Sequence, residues 1–253
     1  MRDNYPYSLE ILSNRELILT KPITIFSGSN GSGKSTILES IASSIGSINI
    51  SNKSIMDDDL LLEVRNYAND ITISYKVRTR SGFFFRASDF ITYKHGINLL
   101  KKQLNKEIER VKEEYADKSI FARNQALTPF MRSLGEIIDQ SEDLQKLSHG
   151  ESFLEFFRTR LNNPGIYILD EPEIPLSYEN QYALIVIIKE MVKKGSQFLI
   201  STHSPIISAI DESEILDLDQ NLNSVDFDSL SSVSFIKDFL SNKDRYLHYL
   251  NKE

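Results

Sequence analysis

The stretch PITIFSGSNGSGKSTILESI, residues 22–41, decides the fold of this chain. Its first part, Pro22–Phe26, is β-branched and aromatic and runs into a cluster of glycine and serine, which predicts a strand that ends in a tight loop. Beyond the loop, Thr36–Ile45 carries isoleucine and leucine at helical spacing, and Gly46 marks the predicted helix end. A strand, a glycine-rich loop and a helix in this order predict an α/β protein built on a parallel sheet.

The loop itself, Gly28–Ser35, matches the pattern G-x-x-x-x-G-K-[ST]. Its glycines allow successive backbone N–H groups to turn inward around phosphate oxygens, and the new helix directs the positive end of its dipole at the anion. Lys34 would add a positive charge at the outer phosphates, and the Ser35 hydroxyl would bind Mg²⁺. The pattern therefore predicts ATP and Mg²⁺ as cofactors, with contacts from Asn30, Gly31, Ser32, Gly33, Lys34, Ser35 and Thr36.

A second motif, residues 166–172, reads as a buried strand that ends in two carboxylates. At the carboxyl end of a parallel strand, Asp170 is expected beside the phosphate loop, where it would hold Mg²⁺ through water. Glu171 points differently and is predicted to polarise the water that attacks the γ-phosphate. His203 follows the next strand, 198–201, so it should emerge at the same sheet edge, contact the γ-phosphate and hold Glu171 in place.

Composition excludes several classes of function. The 253 residues, 40% of them hydrophobic and 26% charged, fit one domain with lobes. A net charge of −7 disfavours binding of nucleic acid or anionic membranes except through a local patch. The absence of cysteine removes thiol and disulfide chemistry. No segment has the length and apolarity of a membrane span or signal peptide, so we expect a cytoplasmic protein without membrane insertion.

A third motif identifies the class. Leu147–Glu151 reads LSHGE, precedes Asp170 by 23 positions counted from Leu147, and is followed by an apolar helix, Ser152–Leu161. It resembles the LSGGQ signature of the ABC ATPase superfamily. With the phosphate loop, the acidic strand end and His203 it makes four motifs, which occur in that superfamily's order. The resemblance implies a head-to-tail homodimer that forms on ATP binding. In it the signature of one copy contacts the ATP of the other; the residues carried over are Ser148, His149, Gly150 and Glu151.

The chain also departs from the superfamily pattern. His149 and Glu151 replace a glycine and a glutamine of the signature, and no glutamine occurs between Ser35 and Gln103 to serve as the usual Mg²⁺-contacting residue. Asp89 or Ser88 are the predicted substitutes. The sequence after the acidic pair, EIPLS, differs from the transporter pattern and leaves Ser177 as a cross-subunit contact. In these departures the chain resembles the non-transporter branch of the superfamily, which includes SMC-like and RecF-like ATPases. It is similar in particular to small stand-alone bacterial ATPases.

The predicted architecture is one ABC-type P-loop NTPase domain spanning residues 1–253. It has a mixed, mostly parallel sheet core, an N-terminal β subdomain and a small inserted helical lobe. The core lobe covers 1–95 and 162–220, the helical signature lobe 96–161, and a C-terminal helical tail 221–253. Predicted strands are 8–12, 16–19, 22–26, 70–78, 82–85, 166–169, 197–200 and 214–218; 178–194 is a predicted helix, and 233–250 a single amphipathic helix that packs on the domain.

The leading hypothesis for function is a Mg-ATP-dependent molecular switch acting on a protein partner such as a nuclease or another effector. One alternative is the nucleotide-binding subunit of an ABC transporter. Another is a nucleic-acid-associated ATPase in repair or phage defence. It rests on a basic and aromatic patch formed by Lys76, Arg78, Arg80 and Arg86 with Tyr75 and Phe83–Phe85. An apolar core face interleaved with polar strand residues explains the same pattern equally well.

Overall fold

The computed structural model describes residues 16–50, 62–77, 79, 81–146 and 149–250. The strands are β1 (Ile23–Ser27), β2 (Gly82–Arg86), β3 (Ile166–Asp170), β4 (Gln197–Ser201), β5 (Ser213–Asp217) and β6 (Asn223–Val225). The helices are α1 (Lys34–Ser44), α2 (Leu62–Ala68), α3 (Ala87–Glu114), α4 (Ile120–Lys146), α5 (His149–Arg160), α6 (Tyr178–Lys193), α7 (Pro205–Ser208), α8 (Ser231–Ser241) and α9 (Lys243–Leu250).

The six strands form one mixed sheet in the order β2-β3-β4-β1-β5-β6. All neighbouring pairs are parallel except β5 with β6. The register aligns Asp170 of β3 with Ser201 of β4, and Ser201 in turn with Phe26 of β1. Because parallel strands present their carboxyl ends at one edge, the loops that follow β1, β3 and β4 emerge side by side, where open α/β sheets bind ligands.

The core packs around the sheet and the phosphate-loop helix. One buried cluster includes Phe26, Leu38, Phe84, Ile168 and Leu199, and each of these five residues is at most 2% exposed. Strands buried on both faces read as continuous apolar runs, and this explains why these segments carry no alternating polar residues. The packed core fixes the strands whose ends carry the chemistry.

The chain divides into two compact units, one that runs to Ala87 and resumes at Leu161, and one formed by Ser88–Arg160. Rings of α3 and α5 pack edge-to-face inside the second unit: Phe90 lies 4.8 Å from Phe153 and 5.5 Å from Phe156, centroid to centroid. Such pairs add about 0.5–1.5 kcal/mol each beyond the burial of their surface. The lobe boundaries predicted at 95/96 and 161/162 stay a prediction.

Most predicted elements of the sheet are confirmed, but two predicted strands are wrong. Residues 16–19 and 71–75 have no regular secondary structure. Leu17 and Leu19 are apolar because they pack on the core cluster, not because they pair in a sheet. The predicted strand at 8–12 lies outside the described residues.

The C-terminal segment forms two helices where one was predicted. Helix α8 ends because Asn242 turns its side chain back to the Asp238 carbonyl and carboxylate, at 3.2 and 2.9 Å, a local competition that interrupts helices. Phe235 packs on Phe239 and Tyr246, with ring centroids 6.0 Å away in each case, yet stays 58% exposed. The aromatic side chains of α8 and α9 are thus partly covered by contacts between the two helices and partly exposed to solvent. In the part of the chain that is described, no helix combines the length and apolarity needed to cross a membrane.

Candidate nucleotide site

The phosphate loop follows β1 and leads directly into α1. Gly33 caps α1 in the left-handed region, with φ 102°, a conformation that side chains rarely adopt. At Gly28 a Cβ would lie 2.7 Å from Ser32 Oγ and 3.1 Å from Leu218 Cβ, so the loop is packed against the turn after β5. The two glycines are therefore required by backbone angle and by space.

Lys34 is buried and folds back over its own loop. Its Nζ donates to the carbonyl oxygens of Gly28 and Ser29, at 2.9 and 2.8 Å. Burial lowers the pKa of Lys34, while the negative charges of Glu171 and Asp219, in that order, act in the opposite direction. The ammonium group is thus held close to the loop, ready to exchange carbonyl oxygens for phosphate oxygens.

Asp170 ends β3 and is 7% exposed. Its Oδ1 accepts a hydrogen bond from Ser35 Oγ at 3.1 Å and another from the Ser201 hydroxyl. Burial raises the pKa of Asp170, and these two hydroxyl groups, which favour the carboxylate, act against it. A serine hydroxyl beside a carboxylate is an oxygen donor set of the kind Mg²⁺ prefers, so the predicted pair fits that ion.

Glu171 is placed differently from Asp170 because its backbone turns sharply, with φ 49°. Its N–H donates to Ser201 O at 3.1 Å and to Ser201 Oγ at 3.2 Å, so β4 holds this turn. A non-glycine residue in the left-handed region is strained, and strain of this kind collects at functional sites. The turn separates the two neighbouring carboxylates.

His203 lies beside Glu171, with 3.6 Å between Nε2 and Oε1. Burial, followed by the Lys34 charge, lowers the pKa of His203. The imidazole is therefore neutral at physiological pH, and one ring nitrogen carries a proton that it can donate. The structure brings Lys34, Ser35, Asp170 and Glu171 together with this histidine in one unit.

Four residues of this neighbourhood were not predicted as part of the nucleotide site. Ser201 binds Asp170, as above. Asp219, 190 positions from Ser29, accepts from Ser29 N at 2.7 Å and from Ser29 Oγ at 2.9 Å. The other two are Glu173 and Arg86. Glu173 could have been found from the sequence, because it is the third acidic residue of the motif Asp-Glu-Pro-Glu. Nothing in the sequence connects Asp219 with the phosphate loop.

Glu173 lies in the connection between β3 and α6. Its Oε1 accepts a hydrogen bond from the His203 N–H at 2.7 Å. Its Oε2 is buried. Burial raises the pKa of this carboxyl group, and hydrogen bonds from the His203 N–H, the Glu173 N–H and the Thr202 hydroxyl, in that order, oppose that rise.

Arg86 ends β2, in register with Asp170 on the adjacent strand. Its Nη1 lies 3.3 Å from Oε1 of Glu39 on α1, and both side chains are largely buried. The Arg86 charge also acts to lower the pKa of Asp170, as the weakest of five influences led by burial. Arg86 thus joins the end of β2 to the phosphate-loop helix.

The other predicted residues have different outcomes. Thr36 is buried in α1, and Asn30 and Gly31 are exposed in the loop. His149 and Gly150 begin α5, and Glu151 is exposed in its first turn, whereas Leu147 and Ser148 lie outside the described residues. Ser88 and Asp89 belong to the first turn of α3. Their roles, like those of all site residues, stay predictions.

Ser177 has a local structural role. Its Oγ accepts a hydrogen bond from Asn180 N at 3.3 Å and so caps the N-terminus of α6. The predicted cross-subunit contact of Ser177 stays a prediction.

The proposed basic and aromatic patch is not assembled as predicted. Phe83, Phe84 and Phe85 are 7%, 0% and 0% exposed, so they belong to the core and cannot stack on bases. Arg86 is paired with Glu39, and Arg78 and Arg80 lie outside the described residues. The strand pattern here reflects burial on both faces of β2.

A largely parallel sheet with a glycine-rich phosphate loop, a serine–aspartate pair and a glutamate beside a histidine at one edge defines a P-loop ATPase of the ABC class. The family model described as ABC transporter matches residues 18–173, and the chain belongs to this family. A second family model, described as AAA ATPase domain, matches residues 152–208.

One curated protein is similar to this chain in sequence. A protein of Methanosarcina acetivorans named "Putative ABC transporter ATP-binding protein" is 29% identical over 181 residues, which cover 70% of this chain and 61% of the relative. The chain thus spans about three fifths of that relative's length.

Two solved structures are also similar. The first is a bacterial ABC transporter cassette solved as a dimer, with 21% identity, a TM-score of 0.37, and coverage of 80% of this chain and 84% of that one. The second is an Smc head domain from Pyrococcus furiosus bound to the C-terminal domain of ScpA, with 12% identity, a TM-score of 0.36, and coverage of 88% and 94%.

Proposed function

We propose that this chain hydrolyses Mg-ATP as a head-to-tail homodimer and uses the resulting opening and closing to act on a protein partner. The observation that carries the proposal is the arrangement at the sheet edge. Ser35 lies 3.1 Å from Asp170, and Glu171 lies 3.6 Å from His203. These are the groups that phosphoryl transfer to water requires: a cradle for the phosphates, oxygen ligands for a cation, a base and a proton donor.

Each residue has a distinct task in this reaction. Lys34 exchanges its bonds to the Gly28 and Ser29 carbonyl oxygens for phosphate oxygens, which keeps its charge compensated throughout. Ser35 and Asp170 would hold Mg²⁺, which supplies positive charge to the phosphates. Positioning and charge neutralisation of this kind provide most of the rate enhancement in phosphoryl transfer.

Glu171 and His203 act at the terminal phosphate. The Glu171 carboxylate orients a water molecule and accepts its proton as the oxygen bonds to the γ-phosphorus, while the bond to the leaving ADP oxygen breaks. The neutral imidazole of His203 donates a hydrogen bond to the γ-phosphate oxygen and limits the movement of Glu171. The turn at Glu171, fixed by Ser201, keeps this carboxylate apart from the one that would hold the cation.

The dimer is proposed from the signature motif. By resemblance, Ser148, His149, Gly150 and Glu151 of one copy approach the γ-phosphate bound by the other. The N-terminus of α5, which begins at His149, supports this because the positive end of the helix dipole favours an anion there. Closing therefore depends on ATP, and hydrolysis releases the contact.

A second candidate is the nucleotide-binding subunit of an ABC transporter, favoured by the match to the ABC transporter family and by the name of the Methanosarcina relative. It predicts that the protein extracted with mild detergent co-purifies with a membrane subunit. Recovery of the chain without one, from cells that express its neighbours normally, would count against it. The nucleic-acid alternative loses three of its four aromatic residues, since Phe83–Phe85 are core residues, whereas Tyr75 is exposed.

The decisive experiment uses Glu171→Gln in the presence of Mg-ATP. We expect turnover to fall by about 10²–10⁴-fold, the contribution typical of a general base, while the solution mass doubles. Lys34→Ala should stay monomeric because it loses nucleotide binding. The matched control is Glu190→Gln, which removes an exposed carboxylate of α6 and should behave as wild type. Wild-type turnover by Glu171→Gln would refute the catalytic assignment, and an unchanged mass would refute the dimer.

A further inference from the structure

The peptide N–H of His203 has a charged partner that the reaction above does not use. The Glu173 Oε1 atom accepts this hydrogen bond at 2.7 Å, a short distance typical of bonds to a carboxylate. Glu173 comes from the β3–α6 connection, two residues after Glu171, whereas His203 follows β4. The bond therefore joins the segment that carries the base to the segment that carries the imidazole.

The rest of the His203 segment is held by its own neighbours. Ser204 N donates to Thr202 Oγ1 at 2.9 Å, and Ser204 Oγ caps α7 by accepting from Ile206 N at 3.1 Å and Ile207 N at 3.2 Å. These bonds fix the chain on both sides of the histidine. The His203 N–H ties the segment directly to the base-carrying loop.

Glu173 holds this position as a buried carboxyl group. Its Oε2 is buried, and hydrogen bonds from the His203 N–H, the Glu173 N–H and the Thr202 hydroxyl, in that order, oppose the rise in its pKa that burial causes. Burying a carboxyl group costs free energy even when it is hydrogen-bonded, so its presence between these two segments calls for an explanation, and a role at the reacting groups supplies one.

We propose that Glu173 is a positioning residue: through the His203 N–H it sets the imidazole of His203 against Glu171. This rests on the proposed function, because it needs His203 and Glu171 to act together at the γ-phosphate. The 2.7 Å bond from the His203 backbone adds to the 3.6 Å contact between the two side chains and to the bonds from the Glu171 N–H to Ser201. The bond to the His203 N–H keeps the side-chain contact in register when ATP enters.

The test is a double-mutant cycle on the full chain, with Glu173→Ala, His203→Ala and the double variant, measured as single-turnover hydrolysis of Mg-ATP. Loss of a hydrogen bond to a charged group corresponds to a fall in the hydrolysis rate of about 10–100-fold for Glu173→Ala. Affinity for a fluorescent ATP analogue should stay within about threefold, because Glu173 does not contact the phosphate loop in this scheme. In the His203→Ala background, Glu173→Ala should cause no further loss.

Glu173→Gln is the conservative variant. Its amide oxygen can still accept the His203 N–H, so we expect it to recover at least half of the wild-type rate, on the logarithmic scale, relative to Glu173→Ala. Glu190→Ala, on the exposed face of α6, is the control for loss of an unrelated carboxylate. Melting temperatures show whether each variant is folded at the assay temperature. Glu173→Ala leaves the His203 N–H without this acceptor and should melt somewhat lower, so hydrolysis rates are compared well below the melting temperatures of all variants.

The outcomes separate this inference from the function on which it rests. Wild-type turnover by His203→Ala and Glu171→Gln overturns the proposed function, and the inference with it. If those two variants are inactive and Glu173→Ala hydrolyses ATP normally, only the inference fails. Multiplicative losses in the double variant, or a parallel fall in nucleotide affinity, also overturn it. The inference is supported if Glu173→Ala causes no further loss of rate in the His203→Ala background and Glu173→Gln recovers the rate as expected.

Discussion

Two serine-to-alanine substitutions, Ser201→Ala and Ser43→Ala, should change stability in opposite directions although both residues are buried. The Ser201 hydroxyl donates to Asp170 and accepts from Glu171 N at 3.2 Å, whereas the Ser43 hydroxyl on α1 has no hydrogen-bond partner in the described ranges. The same chemical change therefore removes two bonds at one position and none at the other.

The magnitudes follow from these contacts. The bond to the Asp170 carboxylate contributes about 1.5–3 kcal/mol, and the bond from Glu171 N, which also reaches Ser201 O, about 0.5 kcal/mol. Ser201→Ala should thus lower the free energy of unfolding by roughly 2–3.5 kcal/mol. At Ser43 the change relieves a desolvated hydroxyl and improves helix propensity by about 0.5 kcal/mol, so stability should rise by roughly 0.5–1.5 kcal/mol.

Urea unfolding followed by circular dichroism at neutral pH measures both values under the same conditions. The slope with denaturant should be unchanged in both variants, since neither alters the surface exposed on unfolding. Equal effects of the two substitutions, within about 0.5 kcal/mol, would contradict the assignment of Ser201 as the partner of Asp170. So would a stabilising Ser201→Ala.

Three further outcomes are expected. Asp219→Asn can still accept from Ser29 N through its amide oxygen and can donate from its amide nitrogen to Ser29 Oγ, so ATP affinity should stay within about threefold. Asp219→Ala loses two bonds of about 1 kcal/mol each and should weaken ATP affinity by up to roughly 30-fold; equal values in a nucleotide titration would refute the contact. Burial raises the pKa of Glu173 above its usual 4.5, so the folded protein binds a proton at this carboxyl group more tightly than the unfolded chain does. The stabilising effect of this proton is lost as pH rises. Glu173→Gln should therefore be more stable than wild type near pH 7.5, by a margin that shrinks towards about pH 4, and a margin independent of pH in thermal unfolding would exclude this explanation. Arg86→Ala removes the ion pair with the largely buried Glu39 and should lower the free energy of unfolding by about 2 kcal/mol, with a change below about 0.5 kcal/mol counting against a structural role.

The sequence by itself determined those parts of the candidate site whose residues follow one another in the chain. The glycines, Lys34 and Ser35 must follow one another because a loop that encloses phosphate is a local structure. Asp170 and Glu171 could be predicted because the apolar pattern of a buried strand indicates where its carboxyl end lies. All such ends meet at one edge of a parallel sheet. The same rule placed His203.

Only the tertiary structure decided which distant side chains serve these groups. Asp219 reaches Ser29 because β5 pairs with β1 in register, and Ser201 reaches Asp170 because β4 lies between β1 and β3. Strand order and register are properties of the whole sheet, so no local pattern encodes them. The wrong strand predictions at 16–19 and 70–78 have the same origin, because an apolar pattern reports burial, while a strand also needs a partner with free hydrogen-bonding groups.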